Sequence, residues 1–350
     1  MIIHAAQTVL ETVYLKILLV SFVFPPSIGG IETVSECLAS QFTAMGHDVC
    51  VITSTPDSDG KFQPNNYKVF RNSDKRQMIA LHKWCDLCFH DNISLQLAWP
   101  LLFVRRPWFI VHQIWIGDRS KQRPVDSLKR FALRFAHSIS ISQAIADNLN
   151  VKSDVVGNPY DDKIFREVGT VERNRDLVFV GRLVSAKGVD VLLRALHKVP
   201  GKTNLTIIGP GPCREELEKL TDELGLREQV QFVGPLKGED LCLAINRHHV
   251  IVVPSIPDEP FGIVALEGIA CGCAAIGSVG GGLKDAIGDC GLTFKNGDSD
   301  DLAAAISRIM SDKPLNDRIR ELRSSHLATF SLGNVASRYI EIFQAVLKKA

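Results

Sequence analysis

Apolar and polar positions change period repeatedly along the chain, and each change marks an element. Lys16-Ile-Leu-Leu-Val-Ser-Phe22 is a short apolar run, followed by the turn-forming Pro25-Pro-Ser-Ile-Gly-Gly30. Such a run predicts a buried strand feeding a loop. Over residues 32–45 the apolar side chains Val34, Leu38, Phe42 and Met45 follow a helical spacing, which Gly46 ends. Val49-Cys-Val-Ile-Thr53 is the next strand. Strand, helix, strand is a βαβ unit, which builds parallel sheets through right-handed crossovers. Strands are also predicted at 109–112, 138–142 and 154–156, with a helix at 144–149.

The chain turns polar near Glu172-Arg-Asn-Arg175, and the alternation then restarts. Strands at 177–180, 205–208, 230–233, 250–253 and 274–276 alternate with helices at 189–196, 214–224, 261–271 and 302–310. An amphipathic helix at 335–349 closes the sequence. The pattern predicts an α/β protein of two Rossmann-like, doubly wound domains facing across a cleft. Residues 1–168 form the first, with 1–15 as an extension before its opening strand. Residues 169–333 form the second, and 334–350 a closing helix. Ligands in such folds lie outside the carboxyl ends of the strands, so the post-strand loops are where chemistry is expected.

Composition narrows the classes. Apolar residues make up 45% of the 350, which excludes intrinsic disorder. Forty Lys and Arg against 39 Asp and Glu leave a net charge of +1, unlike the basic excess of a dedicated nucleic-acid binder. Nine cysteines, an odd number, suit reduced thiols in a reducing compartment. The apolar stretch 13–24 contains Lys16, is too short to span a bilayer and lacks a signal-peptide pattern. The expectation is a cytoplasmic protein.

Four loops carry candidate chemistry. Gly29 and Gly30 precede a helix, where free N–H groups can meet a phosphate, or where the chain simply turns. Gly181-Arg182-Leu-Val-Ser-Ala-Lys187-Gly188 follows the first strand of the second domain and sets two cations five residues apart, suited to a diphosphate. Gly209-Pro-Gly-Pro212 offers a platform for a base or ribose, or a plain turn. The most specific phrase is Pro254-Ser-Ile-Pro-Asp-Glu259-Pro-Phe-Gly-Ile-Val-Ala-Leu-Glu267. Pro260 is predicted at the first helical position, which places Glu267 roughly 12 Å along the axis from Glu259. Glu267 lies in an otherwise apolar helix, and an acid there needs a partner.

Taken together and in this order, these motifs, with Met45-Gly-His-Asp-Val49, His112, Asn158-Pro-Tyr-Asp and Gly280-Gly-Gly-Leu-Lys-Asp285, make the chain similar to the retaining GT-B glycosyltransferases of family four (group 1) over residues 16–349. The resemblance implies transfer of a hexose from a nucleoside-diphosphate sugar, UDP-glucose before GDP-mannose, to a glycan or lipid-linked acceptor. It implies no cofactor beyond that donor and no metal. By resemblance Arg182 and Lys187 hold the diphosphate, with Gly29, Gly30 and Gly209 close to the donor. Glu259 meets the sugar hydroxyls. The N–H groups of Phe261, Gly262 and Ile263 line sugar and phosphate. Glu267 meets the ribose, and His112 meets donor sugar or acceptor. Lys284-Asp285 stands where the family more often has Pro-Glu. The alternatives are a GT-B nucleotide-sugar epimerase, a phosphorylase, or a catalytically silent sugar-nucleotide binder. A dehydrogenase is disfavoured by the missing dinucleotide fingerprint.

Three further features were weighed. His82-x2-Cys85-x2-Cys88-x-His90 has metal-like spacing but also suits a buried helix–strand junction. His90 and Asp91 are candidates to face an acceptor. Residues 105–134 carry eight basic side chains against Asp118 and Asp126, interleaved with Trp108, Trp115, Leu128, Phe131 and Phe135. That stretch is either a solvated helix face or a patch for anionic lipid at the inner face of a membrane.

Overall fold

A computed structural model describes residues 14–27, 29–57, 60, 62–64, 66–117 and 123–349. The extension expected at 1–15 therefore lies outside the described residues, apart from Tyr14 and Leu15. So do 118–122 of the basic stretch.

The first sheet contains β1 (Lys16–Ser21), β2 (Asp48–Thr53), β3 (Lys68–Arg71), β4 (Leu87–Asp91), β5 (Trp108–His112), β6 (His137–Ser140) and β7 (Ser153–Val155). Their order is β3-β2-β1-β4-β5-β6-β7. Its helices are α1 (Gly30–Ala44), α2 (Lys75–Trp84), α3 (Leu95–Ala98), α4 (Pro124–Ala132) and α5 (Gln143–Asn148). β1 pairs in parallel with β2 and β4, Ile17 lying opposite both Val49 and Leu87. These inner strands are buried on both faces, which is why they read as continuous apolar runs.

The second sheet holds β8 (Arg175–Val180), β9 (Leu205–Ile208), β10 (Val230–Gly234), β11 (His248–Val253), β12 (Ala274–Ser278) and β13 (Gly291–Phe294), in the order β10-β9-β8-β11-β12-β13. Around it lie α6 (Val189–Lys198), α7 (Arg214–Glu223), α8 (Gly238–Asn246), α9 (Ile263–Ala270), α10 (Leu283–Ile287), α11 (Ser299–Ser311) and α12 (Lys313–Thr329), followed by α13 (Leu332–Leu347). Strand order reverses between β8 and β11. That reversal is the switch point, outside whose strand ends doubly wound sheets bind ligands.

By compactness the chain forms two units, one up to Ile110 together with the residues from Tyr339, the other from Val111 to Arg338. The aromatic core of the first unit joins Phe42 of α1, Phe89 of β4 and Phe109 of β5 to Tyr339 and Phe343 of α13. Ring centroids are 4.6 Å apart for Phe109–Phe343 and 5.3 Å for Phe89–Phe343. The last helix is thus part of the first unit's core.

Several elements lay below the reach of periodicity. β3 has only four residues, too few to show alternation. α12 buries only Ile319, so it carries no apolar stripe to read. His90 and Asp91 do not reach an acceptor. Both are buried, His90 edge-on to Trp108 at 5.5 Å and Asp91 accepting from the Ser35 hydroxyl. Their places inside β4 explain this. In the cysteine–histidine cluster the Cys85 and Cys88 sulfurs lie 3.6 Å apart and His82 Nδ1 contacts the Met78 carbonyl. No group of three or more His, Cys, Asp or Glu among the described residues is arranged to hold a metal.

The aromatic core yields a paired prediction. Phe343→Ala removes a fully buried ring and should lower unfolding stability by about 3–5 kcal/mol in guanidinium titrations. Tyr339→Phe deletes a buried hydroxyl that has no hydrogen-bond partner among the described residues and should cost nothing. A cost below about 1 kcal/mol for Phe343→Ala would detach α13 from the core.

Candidate functional site

The loop after β8 is shaped by contacts with two neighbours. Gly181 N–H donates to the Ile208 carbonyl at 3.0 Å, Leu183 N–H to Pro210 at 2.8 Å, and Ile256 N–H to Ala186 at 2.9 Å. Glycines make the close approaches. A Cβ at Gly209 would collide with the Gly181 carbonyl, and one at Gly188 with the Pro254 carbonyl. The loop ends in a single 3₁₀ turn, Ser185–Lys187, and Gly188 enters α6 at φ 66°. This leaves Arg182 exposed, and no carboxylate pairs with it among the described residues. Lys187 is turned inward instead.

Lys187 Nζ lies 2.8 Å and 3.1 Å from the two carboxylate oxygens of Glu259. Sequence reasoning selected both residues but not their pairing. Ser255 Oγ donates to Glu259 Oε2 at 2.7 Å, and Ser278 Oγ donates to the Ser255 carbonyl at 2.6 Å. Both serines are buried. The backbone at Glu259 is fixed from the other side, where Gly282 N–H donates to the Glu259 carbonyl at 2.8 Å. Asn296 joins the two loops, accepting from Gly280 N–H at 2.8 Å and donating to the Ile256 carbonyl at 3.1 Å. Ser255, Ser278 and Asn296 were missed by sequence reasoning. For Ser255 the signal was its spacing four residues before Glu259 inside the most specific phrase.

The helix after Glu259 starts later than predicted. α9 begins at Ile263, so Pro260 is not its first residue and Phe261 lies outside it. Gly262 caps it at φ 101°, and a Cβ there would collide with Leu283. The delay arises because residues 259–260 run alongside Gly281–Gly282, with Glu259 bridged to Gly281. A 12 Å separation of Glu259 and Glu267 therefore cannot be taken from helical rise, which applies only from Ile263 onward. Phe261 is buried against Phe330, with centroids 5.6 Å apart. The first N–H groups of α9 lack intrahelical partners, as at every helix start.

Glu267 lies one turn into α9. Part of the residue surface is open, but burial of the carboxyl, and then the charge of Asp161, push its pKa up to about 7. Sequence reasoning expected a partner. No hydrogen-bond donor or cation meets this carboxylate among the described residues, so it keeps its full capacity to accept hydrogen bonds.

His112 closes β5, buried, with Nε2 3.2 Å from Ser138 Oγ. Burial, and then the charge of Arg130, push its pKa down to about 4, so the ring is neutral at pH 7. Nearby in the same unit, Asn158 donates to Gln113 Oε1 at 2.6 Å. Ser142 Oγ reaches the Pro260 carbonyl at 2.8 Å, and Asp285 accepts from Gln143 N–H at 2.8 Å. The unusual Asp285 is thereby given a structural partner. Gly29 and Gly30 belong to the first unit. Gly30 faces open space, whereas the Glu32 carboxylate lies over Gly29 at the head of α1, accepting from Ser27 Oγ at 3.0 Å.

With this geometry in place, comparisons with known proteins become informative. Residues 161–323 match the family model of glycosyl transferases group 1. An uncharacterised glycosyltransferase of Methanocaldococcus jannaschii is 26% identical, over 95% of this chain and 99% of its own length. The D-inositol 3-phosphate glycosyltransferase of Corynebacterium jeikeium is 35% identical, over 47% of this chain but only 42% of its own length. Anabaena HepE, solved with UDP, superposes with a TM-score of 0.80 at 20% identity, covering 94% of this chain and 100% of that one. Sucrose-phosphate synthase from Thermosynechococcus elongatus gives 0.79 at 20% identity, covering 96% and 100%. The fold is that of GT-B glycosyltransferases, and the second half of the chain is similar to glycosyl transferases group 1.

Glu267 gives the site a pH signature. The folded chain holds its proton more tightly than the unfolded chain, where the carboxyl titrates at 4.5. The protonated form stabilises the fold fully below about pH 4.5, and that stability is lost as pH rises through about 7. Glu267→Gln should therefore match the parent near pH 4 and exceed it by up to about 3 kcal/mol at pH 8 in chemical unfolding. Parallel pH profiles for the two proteins would remove the buried-acid assignment.

Proposed function

We propose that the chain transfers a hexose from a nucleoside-diphosphate sugar to a glycan or lipid-linked acceptor with retention of anomeric configuration, and that it prefers UDP-glucose, then GDP-mannose. The observation that carries this reading is the Lys187–Glu259 pair just before α9, with Arg182 on the same loop as Lys187 and Glu267 one turn into α9, neither of them paired among the described residues. Support also comes from the group 1 match over 161–323 and from fold neighbours solved with UDP and glucose.

The residues suggest the order of events. An arriving diphosphate competes with Glu259 for the Lys187 ammonium. Once Lys187 turns to phosphate, the Glu259 oxygens are free to accept from sugar hydroxyls, while Ser255 keeps the carboxylate in place. Cleavage of the anomeric bond puts negative charge on the leaving diphosphate and positive charge on the sugar. Arg182, Lys187 and the α9 N–H groups act on the first of these, and fixed charges of this kind favour the transition state over the ground state. Retention arises by front-face attack assisted by the leaving phosphate. Glu267 accepts from the ribose hydroxyls. The neutral His112 contributes hydrogen bonding, not charge. The cations supply the role a metal ion plays elsewhere.

The donor is tested by thermal unfolding with UDP, GDP, ADP and NAD, each with and without Mg²⁺. Saturation at 100 times the dissociation constant adds about 2.7 kcal/mol of stability. The expected shift is with UDP or GDP and is unchanged by Mg²⁺. A shift with NAD alone would replace the reading with a dehydrogenase. Product analysis separates the remaining alternatives, since epimerisation needs no acceptor and a silent binder gives no product. Glu259→Ala and Lys187→Ala should each lower turnover about a hundredfold or more with the fold intact. Near-normal turnover would remove that residue from the site.

We also propose peripheral contact with an anionic membrane, through α4. Among the described residues no helix is long and apolar enough to cross a bilayer. On and after α4 an apolar stripe faces solvent, with Leu128 55%, Phe131 52% and Phe135 70% exposed. The Arg134 guanidinium lies 5.7 Å from the Phe131 ring centre. Arg130 fixes the helix, donating to the Asn148 carbonyl at 2.9 Å and the Ile116 carbonyl at 3.0 Å. An exposed apolar stripe with basic neighbours fits an interfacial helix on the cytoplasmic leaflet. Binding to phosphatidylglycerol vesicles should drop about fivefold or more in a Phe131→Ser, Phe135→Ser variant. Equal sedimentation of the two proteins would sink the membrane assignment.

A further inference from the structure

A second cavity, of about 420 Å³, lies at the opposite end of the second sheet from the candidate donor loops. Its walls include the first residues of β8, β11 and β12, whereas the donor loops leave the far ends of those strands. Three arginines line it, Arg173, Arg320 and Arg323, together with Glu167, Asp176 and His249. Val250, Ala274, Ile309 and Ile319 give it an apolar wall.

The charges in this cavity are unevenly matched. Arg173 and Arg323 share a single carboxylate, Glu167, at 3.6 Å and 3.3 Å, and Glu167 is 60% exposed. Two guanidinium groups thus face one loosely held acid. Their other bonds go to backbone carbonyls and, from Arg173, to the Cys273 sulfur at 3.8 Å. Arg173 donates to His248 and, at 2.9 Å, to Cys271, and Arg323 donates to Gly272 at 2.8 Å. Arg323 Nε is buried with no hydrogen-bond partner among the described residues. A buried guanidinium N–H without an acceptor is costly, so it marks a place where an acceptor is wanted. Asp176 does not fill that role, since its carboxylate accepts from Asn204 N–H at 2.7 Å and Asn204 Nδ2 at 3.3 Å. Among the described residues Arg320 pairs only with Asp317, at 3.3 Å, and it is 71% exposed, free to turn inward. Burial, and then the charge of Arg173, push the His249 pKa down from its ordinary value.

We propose that this cavity is a second binding site, for a small phosphate monoester. The phosphate displaces Glu167 from between Arg173 and Arg323, and the organic part lies along Val250, Ala274 and Ile319. A dianion matches two guanidinium forks in charge and in geometry. The cavity is large enough for a small organic ligand, in the range of ordinary ligand pockets. The inference stands apart from the glycosyl-transfer reading, because none of its residues takes part in the proposed donor contacts.

The test is calorimetric titration of the full chain with inorganic phosphate and with phenyl phosphate, in the parent, in Lys187→Ala and in Arg320→Glu. Phenyl phosphate should bind at least about fivefold more tightly than inorganic phosphate, because only it uses the apolar wall. Binding should persist in Lys187→Ala and weaken about tenfold or more in Arg320→Glu, while UDP binding is unchanged by Arg320→Glu. Arg320 is exposed, so that variant folds. Binding lost in Lys187→Ala and kept in Arg320→Glu would overturn the proposal by assigning the anion to the donor loops. Absence of binding to the parent would overturn it as well, and a normal UDP response in the same sample would show that the donor reading survives.

Discussion

The second unit's chemistry depends on how closely two stretches of backbone approach one another. Residues 259–262 run against 281–283 with no room for side chains between them. A Cβ at Gly281 would strike the Glu259 carbonyl, one at Gly282 the Pro260 carbonyl, and one at Gly262 the Leu283 side chain. Gly262 and Gly281 also hold positive φ angles that other residues rarely adopt. This contact fixes the Glu259 backbone and delays α9 to Ile263. It also sets the direction in which the Glu259 carboxylate points. Ser255 and Lys187 then complete a network whose members come from three separate loops.

That network shows how the site resolves the cost of burying charge. A half-buried carboxylate is held by an ammonium and a hydroxyl, both within 2.8 Å of Glu259 Oε2. Glu267 represents the opposite solution. Among the described residues no counter-charge meets it, and burial raises its pKa instead. Two glutamates eight residues apart thus sit in contrasting environments, one paired with an ammonium and a hydroxyl, the other desolvated. The contrast comes from the surroundings, since the two side chains are identical.

Both ends of α9 meet charged groups. Its N-terminal end follows the Glu259 network, and its last turn is held by Arg173 and Arg323 through the Cys271 and Gly272 carbonyls. Cations at that end complement the negative pole of the helix dipole. The helix interior is almost wholly apolar and buried, which leaves Glu267 as its one acidic side chain. α9 therefore links the candidate donor loops with the arginine-lined cavity through one rigid element.

The sequence by itself determined the two runs of parallel strands, because a strand buried on both faces must be apolar throughout, as at Leu18–Leu19 and Ile251–Val252. It also marked the loops to examine for chemistry, since glycines and charged residues cluster after β8 and before α9. Short or polar elements such as β3 and α12 escaped it, because neither buries enough apolar surface to leave a period. Tertiary structure alone decided the pairing of Lys187 with Glu259, 72 positions apart, and the burial of His90 and Asp91. It alone brought Arg173 and Arg323 to one carboxylate across 150 residues of chain. The physical reason is the same in each case. Local pattern reports what a residue needs, burial or solvent, helix or strand, whereas a partner distant in the chain is supplied only when the sheets assemble and bring separate loops within hydrogen-bonding distance.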